Sequence, residues 1–437
     1  MALTNISVIG LGKLGLCLGA VLASKGFTVV GVDVDESKIA LINKGESPIY
    51  EPGLGNLIRA NRKRLIATSD YDYAIYESQA TFIVVPTPSE RSGEFSLRFV
   101  KLAVEKLGGY LKKKKSYHLV TLTSTVSPGS MDEIVKPLLE ETSGKKCGRG
   151  IGLCYNPEFI ALGDVVRGLL KPDFVLIGES DPKAGKLLSS IQKKVCDNSP
   201  KIERMNFQNA ELTKVSLNSF VTMKMSFANT LAEICEHMPG GDVDRVTSAL
   251  GNDRRIGPYY LKGAQGYGGP CFPRDNLAFQ ALAKRYGAQS KLARATHEVN
   301  LWQIQRLITR IISEGITPPA KISILGLTYK TNTNVIEQSQ SLLLAQTLAR
   351  IGFEVHAYDP ALTNDSQSSI PAGISLEENP ERCLANSNLC IIGTPWKSLA
   401  GIDKRLFDGK IVFDCWRAFG NPPKGKKYVP IGKYLEQ

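Results

Sequence analysis

Cys271 lies in Gly-Tyr-Gly-Gly-Pro-Cys-Phe-Pro-Arg-Asp, residues 266–275. A thiol held near a nicotinamide cofactor can trap an aldehyde as a thiohemiacetal, carry it through a second oxidation as a thioester, and release an acid to water. Serine would be the poorer nucleophile, because a thiolate is accessible near neutral pH. Free cysteines are often buried and inert, so the surroundings decide. Gly266, Gly268 and Gly269 just before it would let a ligand approach the backbone. Arg274 brings a cation that favours the thiolate, and Asp275 an acceptor for the hydrolytic water or for a neighbouring donor. Upstream, Lys214 and Asn218 stand four residues apart in Glu211-Leu-Thr-Lys-Val-Ser-Leu-Asn-Ser-Phe. On a helix they share a face, where an ammonium and an amide together stabilise an alkoxide or oxyanion. Such a pair also occurs on ordinary solvated helix faces; Leu212, Val215, Leu217 and Phe220 around it argue for an apolar setting.

The elements that must position these groups begin with a dinucleotide fingerprint. Residues 6–9 form a strand, Gly10-x-Gly12-x-x-Gly15 a turn, residues 16–25 a buried helix closed by Gly26, and residues 27–32 a second strand ending at Asp33. Gly10 permits the tight turn, Gly12 admits the pyrophosphate to the backbone, and Gly15 lets helix and strand pack closely. The helix N-terminus favours phosphate charge. Asp33 would accept the ribose hydroxyls and repel a 2′-phosphate, which selects NAD over NADP. Three further strand ends, Val85-Pro86-Thr87-Pro88, Ser124-Thr125-Val126-Ser-Pro-Gly129 and Asn156-Pro-Glu158-Phe159, fall at the edge where open α/β sheets bind ligands.

The chain of 437 residues exceeds one hydrophobic core. Apolar strands at 80–85, 118–123, 150–155 and 174–178 alternate with helical stretches, which predicts a parallel sheet covered on both faces. Residues 206–237 contain no Gly or Pro and predict one long helix; 243–250 and 276–312 are helical by pattern. After Pro318-Pro319, strands at 321–326, 353–359, 389–393 and 410–414 and a helix at 342–351 predict a second nucleotide-binding-like α/β unit without the full glycine fingerprint. The fold class is α/β: two Rossmann-like parallel-sheet domains (1–205 and 317–437) joined by a long central helix and a helical region (206–316).

Nine cysteines without CxxC spacing, several in apolar segments, fit free thiols in a reducing compartment. With only four histidines, no metal site is expected. The start reads directly into a strand, and no apolar run approaches the ~18 residues that span a bilayer, so a cytoplasmic protein without membrane contact is expected. A net charge of +12, with Lys112 to Lys115 at a helix end, carries no recognition-helix or aromatic pattern. No nucleic-acid partner follows; the charge suits a phosphorylated ligand.

The residues resemble the UDP-glucose/GDP-mannose dehydrogenase family across nearly the whole chain. The ordered motifs are Gly10-x-Gly12-x-x-Gly15, Ser47-Pro-Ile-Tyr-Glu-Pro-Gly-Leu54, Pro86-Thr87-Pro88, Ser124-Thr125-Val126, Asn156-Pro-Glu158-Phe159, Glu211-Leu-Thr-Lys214-xxx-Asn218, Arg255-Ile-Gly257, Gly268-Gly269-Pro-Cys271-Phe-Pro-Arg-Asp275 and Gly326-Leu-Thr-Tyr-Lys330. The resemblance implies a four-electron oxidation of a nucleotide sugar's C6 hydroxyl to a carboxylate with reduction of two NAD, carried by an NAD-binding domain (1–205), a central helical dimerisation domain with the catalytic cysteine loop (206–316) and a nucleotide-sugar (UDP)-binding domain (317–437). It implies a catalytic set of Cys271 (nucleophile), Lys214, Asn218, Asp275, Glu158 and Thr125. It implies cofactor contacts from Gly10, Gly12, Lys13, Leu14, Gly15, Asp33, Lys38, Pro86, Thr87, Thr125, Glu158 and Lys330. Substrate contacts would come from Phe159, Ile160, Lys214, Asn218, Tyr260, Gly268, Lys330 and Arg417, and from Arg255 across a homodimer or higher homo-oligomer built on the long helix.

Gly269-Pro270-Cys271 is more similar to the UDP-glucose branch than to the N-acetylhexosamine branch with Gly-Gly-His-Cys, so UDP-glucose to UDP-glucuronate is expected. The alternatives are GDP-mannose, another glucose nucleotide, a UDP-N-acetylhexosamine, a two-electron hydroxyacid oxidation, or a non-catalytic NAD or nucleotide-sugar sensor. Four positions depart from the family pattern. Leu162 stands where an acid is usual, Val335 and Glu337 replace an Asp and an Arg, and Arg417 follows Asp414 with one extra residue between.

Overall fold

A computed structural model describes residues 3–90 and 92–436. It resolves into two compact units, Met1–Ser216 and Leu217–Gln437. The first holds strands β1 (Asn5–Ile9), β2 (Thr28–Val32), β3 (Leu65–Thr68), β4 (Ala80–Ile83), β5 (His118–Leu122), β6 (Lys146–Cys147), β7 (Gly150–Tyr155), β8 (Phe174–Glu179) and β9 (Lys201–Met205). Their order is β3-β2-β1-β4-β5-β7-β8-β9, with β6 beside β7. The central strands are buried along nearly their whole length, because helices cover both faces; one apolar layer includes Leu16, Val21 and Ile177, the other Leu107, Leu122 and Phe207.

One strand pair departs from the expected parallel sheet. Tyr155 of β7 pairs with Gly178 of β8 in antiparallel register, and β9 then follows β8 in parallel. The connection contains only the six-residue helix Val165–Leu170. Asn156 fixes this reversal: its Nδ2 donates to the Leu176 carbonyl, and its Oδ1 accepts from Gln192.

The long helix is Phe207–His237, uninterrupted over 31 residues as the absence of Gly and Pro predicts. In the second unit it is followed by helices Val243–Gly251, Phe272–Arg285 and Lys291–Ser313. The helical pattern over 276–312 is therefore broken in two, with Gly287 at φ +68° in the break, and its first part starts earlier than expected. Pro273 sits in the first turn of the helix Phe272–Arg285, where a missing N–H costs nothing. Strands β10 (Lys321–Leu325), β11 (Glu354–Tyr358), β12 (Ile374–Leu376), β13 (Leu389–Ile392), β14 (Ile411–Asp414) and β15 (Lys427–Pro430) form the second sheet. Its order is β12-β11-β10-β13-β14-β15, parallel throughout. Two Rossmann-like sheets and a helical middle agree with the expected fold class.

Candidate active site

The glycine turn is built as its spacing demands. Gly10 has φ +92°, and a Cβ there would lie 2.3 Å from the Val84 carbonyl oxygen. A Cβ on Gly15 would lie 1.9 Å from the Gly10 carbonyl oxygen, so neither position accepts a side chain. A Cβ on Gly12 would meet nothing within 4 Å, which leaves open space at the start of the helix Lys13–Ser24. No side chain caps that helix and no acid occupies its first turn, so its N-terminal charge faces the opening. Asp33 is half-buried, and its carboxylate accepts N–H groups from Leu11 (2.9 Å) and Asp35 (3.0 Å). Those bonds orient the carboxylate and leave further lone pairs for ribose hydroxyls. These residues fit NAD. Lys13 and Leu14 begin the helix; Lys38 lies 3.7 Å from Asp35.

Around the neighbouring strand ends, Ser124 Oγ donates to the Val85 carbonyl (2.6 Å) and accepts the Val85 N–H (3.0 Å), joining the turns after β4 and β5. Pro86 is exposed, Thr87 buried and Thr125 half-buried. Burial raises the half-buried Glu158 carboxyl to about 7, with the Lys214 charge opposing. Lys214 is 6% exposed; its Nζ donates to the Glu158 main-chain carbonyl at 2.6 Å and lies 4.8 Å from the Phe159 ring centroid. Phe159 in turn packs against Phe174, and Ile160 against Gly168 of the helix Val165–Leu170. Leu162 joins the apolar layer, which accounts for the absence of an acid there in packing terms. A solvated face for Lys214 and Asn218 is excluded, since Asn218 is only 8% exposed. Not all their apolar neighbours are buried, however: Val215 is, while Leu212 and Phe220 are exposed.

In the second unit Cys271 caps the helix Phe272–Arg285. It is the one exposed cysteine of the nine; seven of the others are buried and Cys147 is intermediate. A sulfur at a helix N-terminus is placed where negative charge is favoured. Asp275, one turn on, is fully buried. Its Oδ2 accepts from Asn218 Nδ2 at 2.6 Å and its Oδ1 from Arg274 Nε at 3.0 Å. Arg274 thus partners Asp275, and Asp275 aims the Asn218 amide. The glycines before Cys271 do not serve ligand approach alone. A Cβ on Gly268 would lie 2.3 Å from the Gln338 carbonyl oxygen, and one on Gly269 would lie 2.6 Å from the Tyr329 ring. They let the loop pack on the segment after β10; Gln340 of that segment and Asn300 of the helix Lys291–Ser313 also hold the Tyr267 backbone.

Of the remaining expected contacts, Lys330 Nζ lies 5.9 Å from the Tyr329 ring centroid. Arg255 is exposed and paired with Asp253, and Tyr260, 49% exposed, meets Phe272 edge-on. Arg417 is placed differently from expectation: all its N–H groups are committed. Nε and Nη2 bind Asp244 (2.8 and 2.9 Å), Nη2 also the Gly263 carbonyl, and Nη1 the Ile431 and Cys415 carbonyls. The guanidinium forms a structural bridge. In the first unit two buried carboxylates carried no expected role, Glu51 and Glu211, although both lie inside quoted motifs. Burial raises the Glu211 carboxyl to about 7, against two backbone N–H bonds and with lesser repulsion from Asp132 and Glu133.

The first unit holds a cradle that fits NAD and a buried lysine beside a raised carboxyl, and the second an exposed thiol at a helix N-terminus; these are groups that a nicotinamide-dependent dehydrogenase uses. Comparison with known proteins narrows the class. Residues 4–196 match the NAD binding domain of the UDP-glucose/GDP-mannose dehydrogenase family, residues 208–302 its central domain and residues 323–421 its UDP binding domain. A UDP-glucose 6-dehydrogenase of Haloferax volcanii is 35% identical over 416 residues, 94% of this chain and 96% of the relative. A GDP-mannose 6-dehydrogenase of Pseudomonas aeruginosa is 33% identical over 424 residues, again 94% and 96%. The structure of a UDP-glucose dehydrogenase from Pyrobaculum islandicum superposes with TM-score 0.91 at 30% identity, covering 99% of this chain and 98% of that one. This chain belongs to the UDP-glucose/GDP-mannose dehydrogenase family and is an NAD-dependent nucleotide-sugar dehydrogenase.

Proposed function

We propose that the chain oxidises UDP-glucose at C6 to UDP-glucuronate. The observation that carries this reading is the lone exposed thiol, Cys271, at the head of a helix whose first turn holds buried Asp275. NAD supplies the hydride acceptor for each of the two oxidations. Glu158, with its carboxyl near neutrality, accepts the hydroxyl proton. Lys214 and Asn218 donate to the oxygen as charge develops on it. Cys271 adds to the aldehyde carbonyl; loss of a second hydride leaves a thioester, and water releases the carboxylate and restores the thiol. Thr125 lines the cofactor side, and Lys330, Tyr260 and Gly268 contact the sugar nucleotide.

The test is a panel of nucleotide sugars followed by NADH formation and product mass. Two NADH per UDP-glucose supports the reading, and two per GDP-mannose moves it to the sugar of the 33% identical relative. One NADH per substrate removes the thioester step. In Cys271→Ser, binding of the nucleotide sugar persists and steady turnover is lost; normal turnover in that variant would defeat the covalent mechanism.

The chain acts as a homodimer in this proposal. Phe220, Phe227 and Ile234, 59%, 55% and 52% exposed, recur every seven residues on the long helix, a stripe suited to a second copy. Arg255 then reaches the partner's sugar. Phe227→Glu yields monomer by light scattering, whereas an unchanged dimer would place the interface elsewhere. A cytoplasmic location is supported by nine free cysteines, and no described helix is long and apolar enough to cross a membrane.

A further inference from the structure

Two buried carboxylates of the first unit play no part in the chemistry above, yet each holds a strand-end loop from a distance. Glu211, fully buried, accepts the Gly129 N–H at Oε2 and the Met131 N–H at Oε1, both at 2.8 Å. Glu51, 6% exposed, accepts the Gly163 N–H at Oε2 (3.0 Å) and the Val165 N–H at Oε1 (2.9 Å). The two grips are built alike. In each, the two amides are two residues apart, and the second opens a helical stretch, Met131–Val135 or Val165–Leu170. In each, the first amide belongs to a glycine with positive φ, +95° at Gly129 and +81° at Gly163. That conformation turns nearby N–H groups toward one point, a nest that a carboxylate fills with both oxygens.

The gripped segments are those that carry chemistry. The loop ahead of Gly129 holds Thr125, and the loop ahead of Gly163 holds Glu158, Phe159 and Ile160. Glu211 stands one turn before Lys214 on the long helix, and Lys214 binds the Glu158 carbonyl at 2.6 Å. One turn of that helix therefore fastens both loops, and Glu51 fastens the second again from its far end. We infer that Glu211 and Glu51 are positioning residues of the dehydrogenase: they keep Thr125 and Glu158 in register with the turn that bears Lys214. The inference rests on the activity proposed above.

Gln is the discriminating substitution. It fills the same space, but its amide nitrogen would face a backbone N–H, so one grip in each pair becomes a donor–donor contact. In the full chain, Glu211→Gln is expected to speed backbone hydrogen exchange at least tenfold over residues 124–135 and leave Gly163 and Val165 unchanged; Glu51→Gln does the reverse. In both variants, kcat per alkylatable Cys271 falls at least tenfold while KM for the nucleotide sugar shifts less than threefold. A merely structural role would lower the yield of folded chain and leave kcat per thiol intact. Unchanged exchange, or loosened loops with kcat within twofold of the parent, overturns the inference. A parent chain that oxidises no nucleotide sugar defeats the proposed activity instead, since exchange reads the grips without turnover.

Discussion

The two sheets share a strand order around their first strand and use the acids at their strand ends in opposite ways. In the first sheet β2 leads into Asp33, whose carboxylate is half-buried and receives two backbone N–H groups. In the second sheet β11 leads into Asp359 at the equivalent place, but that carboxylate is 1% exposed. It accepts from the Leu327, Thr328 and Ala361 amides, the Thr328 hydroxyl and the Trp396 indole. Asp414, at the end of β14, is spent similarly on Trp416, Ala418 and Tyr428. The glycine turns diverge in step. Gly326, like Gly10, has positive φ and a close backbone neighbour, yet the position two residues later is buried Thr328 where the first sheet has open Gly12. A strand order alone does not make a ribose site; the acid must be left partly unsatisfied and the turn left bare.

The largest effect that would sharpen this contrast is on stability. Asp359→Asn replaces a buried acceptor of five donors with a group that brings two N–H of its own. It is expected to destabilise the second unit by about 3 kcal/mol, since hydrogen bonds to a buried charge contribute ~1.5–3 kcal/mol. Urea unfolding with and without a nucleotide sugar measures it; a loss as small as that of Asp33→Asn would erase the distinction. Asp33→Asn is the smaller, functional counterpart. NAD affinity is expected to fall about tenfold, or ~1.4 kcal/mol, with the unfolding midpoint little changed. Titration calorimetry decides, and retained affinity would show that ribose binding does not depend on Asp33.

Sequence reading reached the parts of the fold whose signals are local. Residues 150–155 match a strand end to end, and the long helix needed only an absence of Gly and Pro. It did not find β3, β6, β9, β12 or β15. Lys201-Ile-Glu-Arg-Met of β9 has no apolar run, as suits a sheet edge, and β12 is only three residues long. The helical pattern reads only from residue 276, although a first helical turn tolerates Pro273, and that hid Cys271's place as a helix cap. The glycines before Cys271 were legible as glycines needing close approach, but not that Tyr329 and Gln338 are what approaches. Glu51 and Glu211 lay beyond reach for a different reason: the amides they hold are 80 to 114 residues away, and spacing carries no such information.

The finest contrast lies in titration. Among the strand-end acids of the first sheet, Glu158 has its carboxyl raised to about 7, chiefly by burial. An acid with a raised pKa is protonated below that value, and a protonated carboxyl cannot accept a hydroxyl proton. The kcat/KM of the parent chain should therefore rise with pH through an acid limb centred near 7. In Glu158→Gln that limb should flatten, leaving low activity with little slope between pH 6 and about 8, because Lys214 and Asn218 still polarise the oxygen. Glu211 titrates in the same range, so Glu211→Gln is the control: it should lower the plateau while keeping the limb. A limb that survives in Glu158→Gln and vanishes in Glu211→Gln would transfer the proton-accepting role away from the strand end and into the grip beneath it.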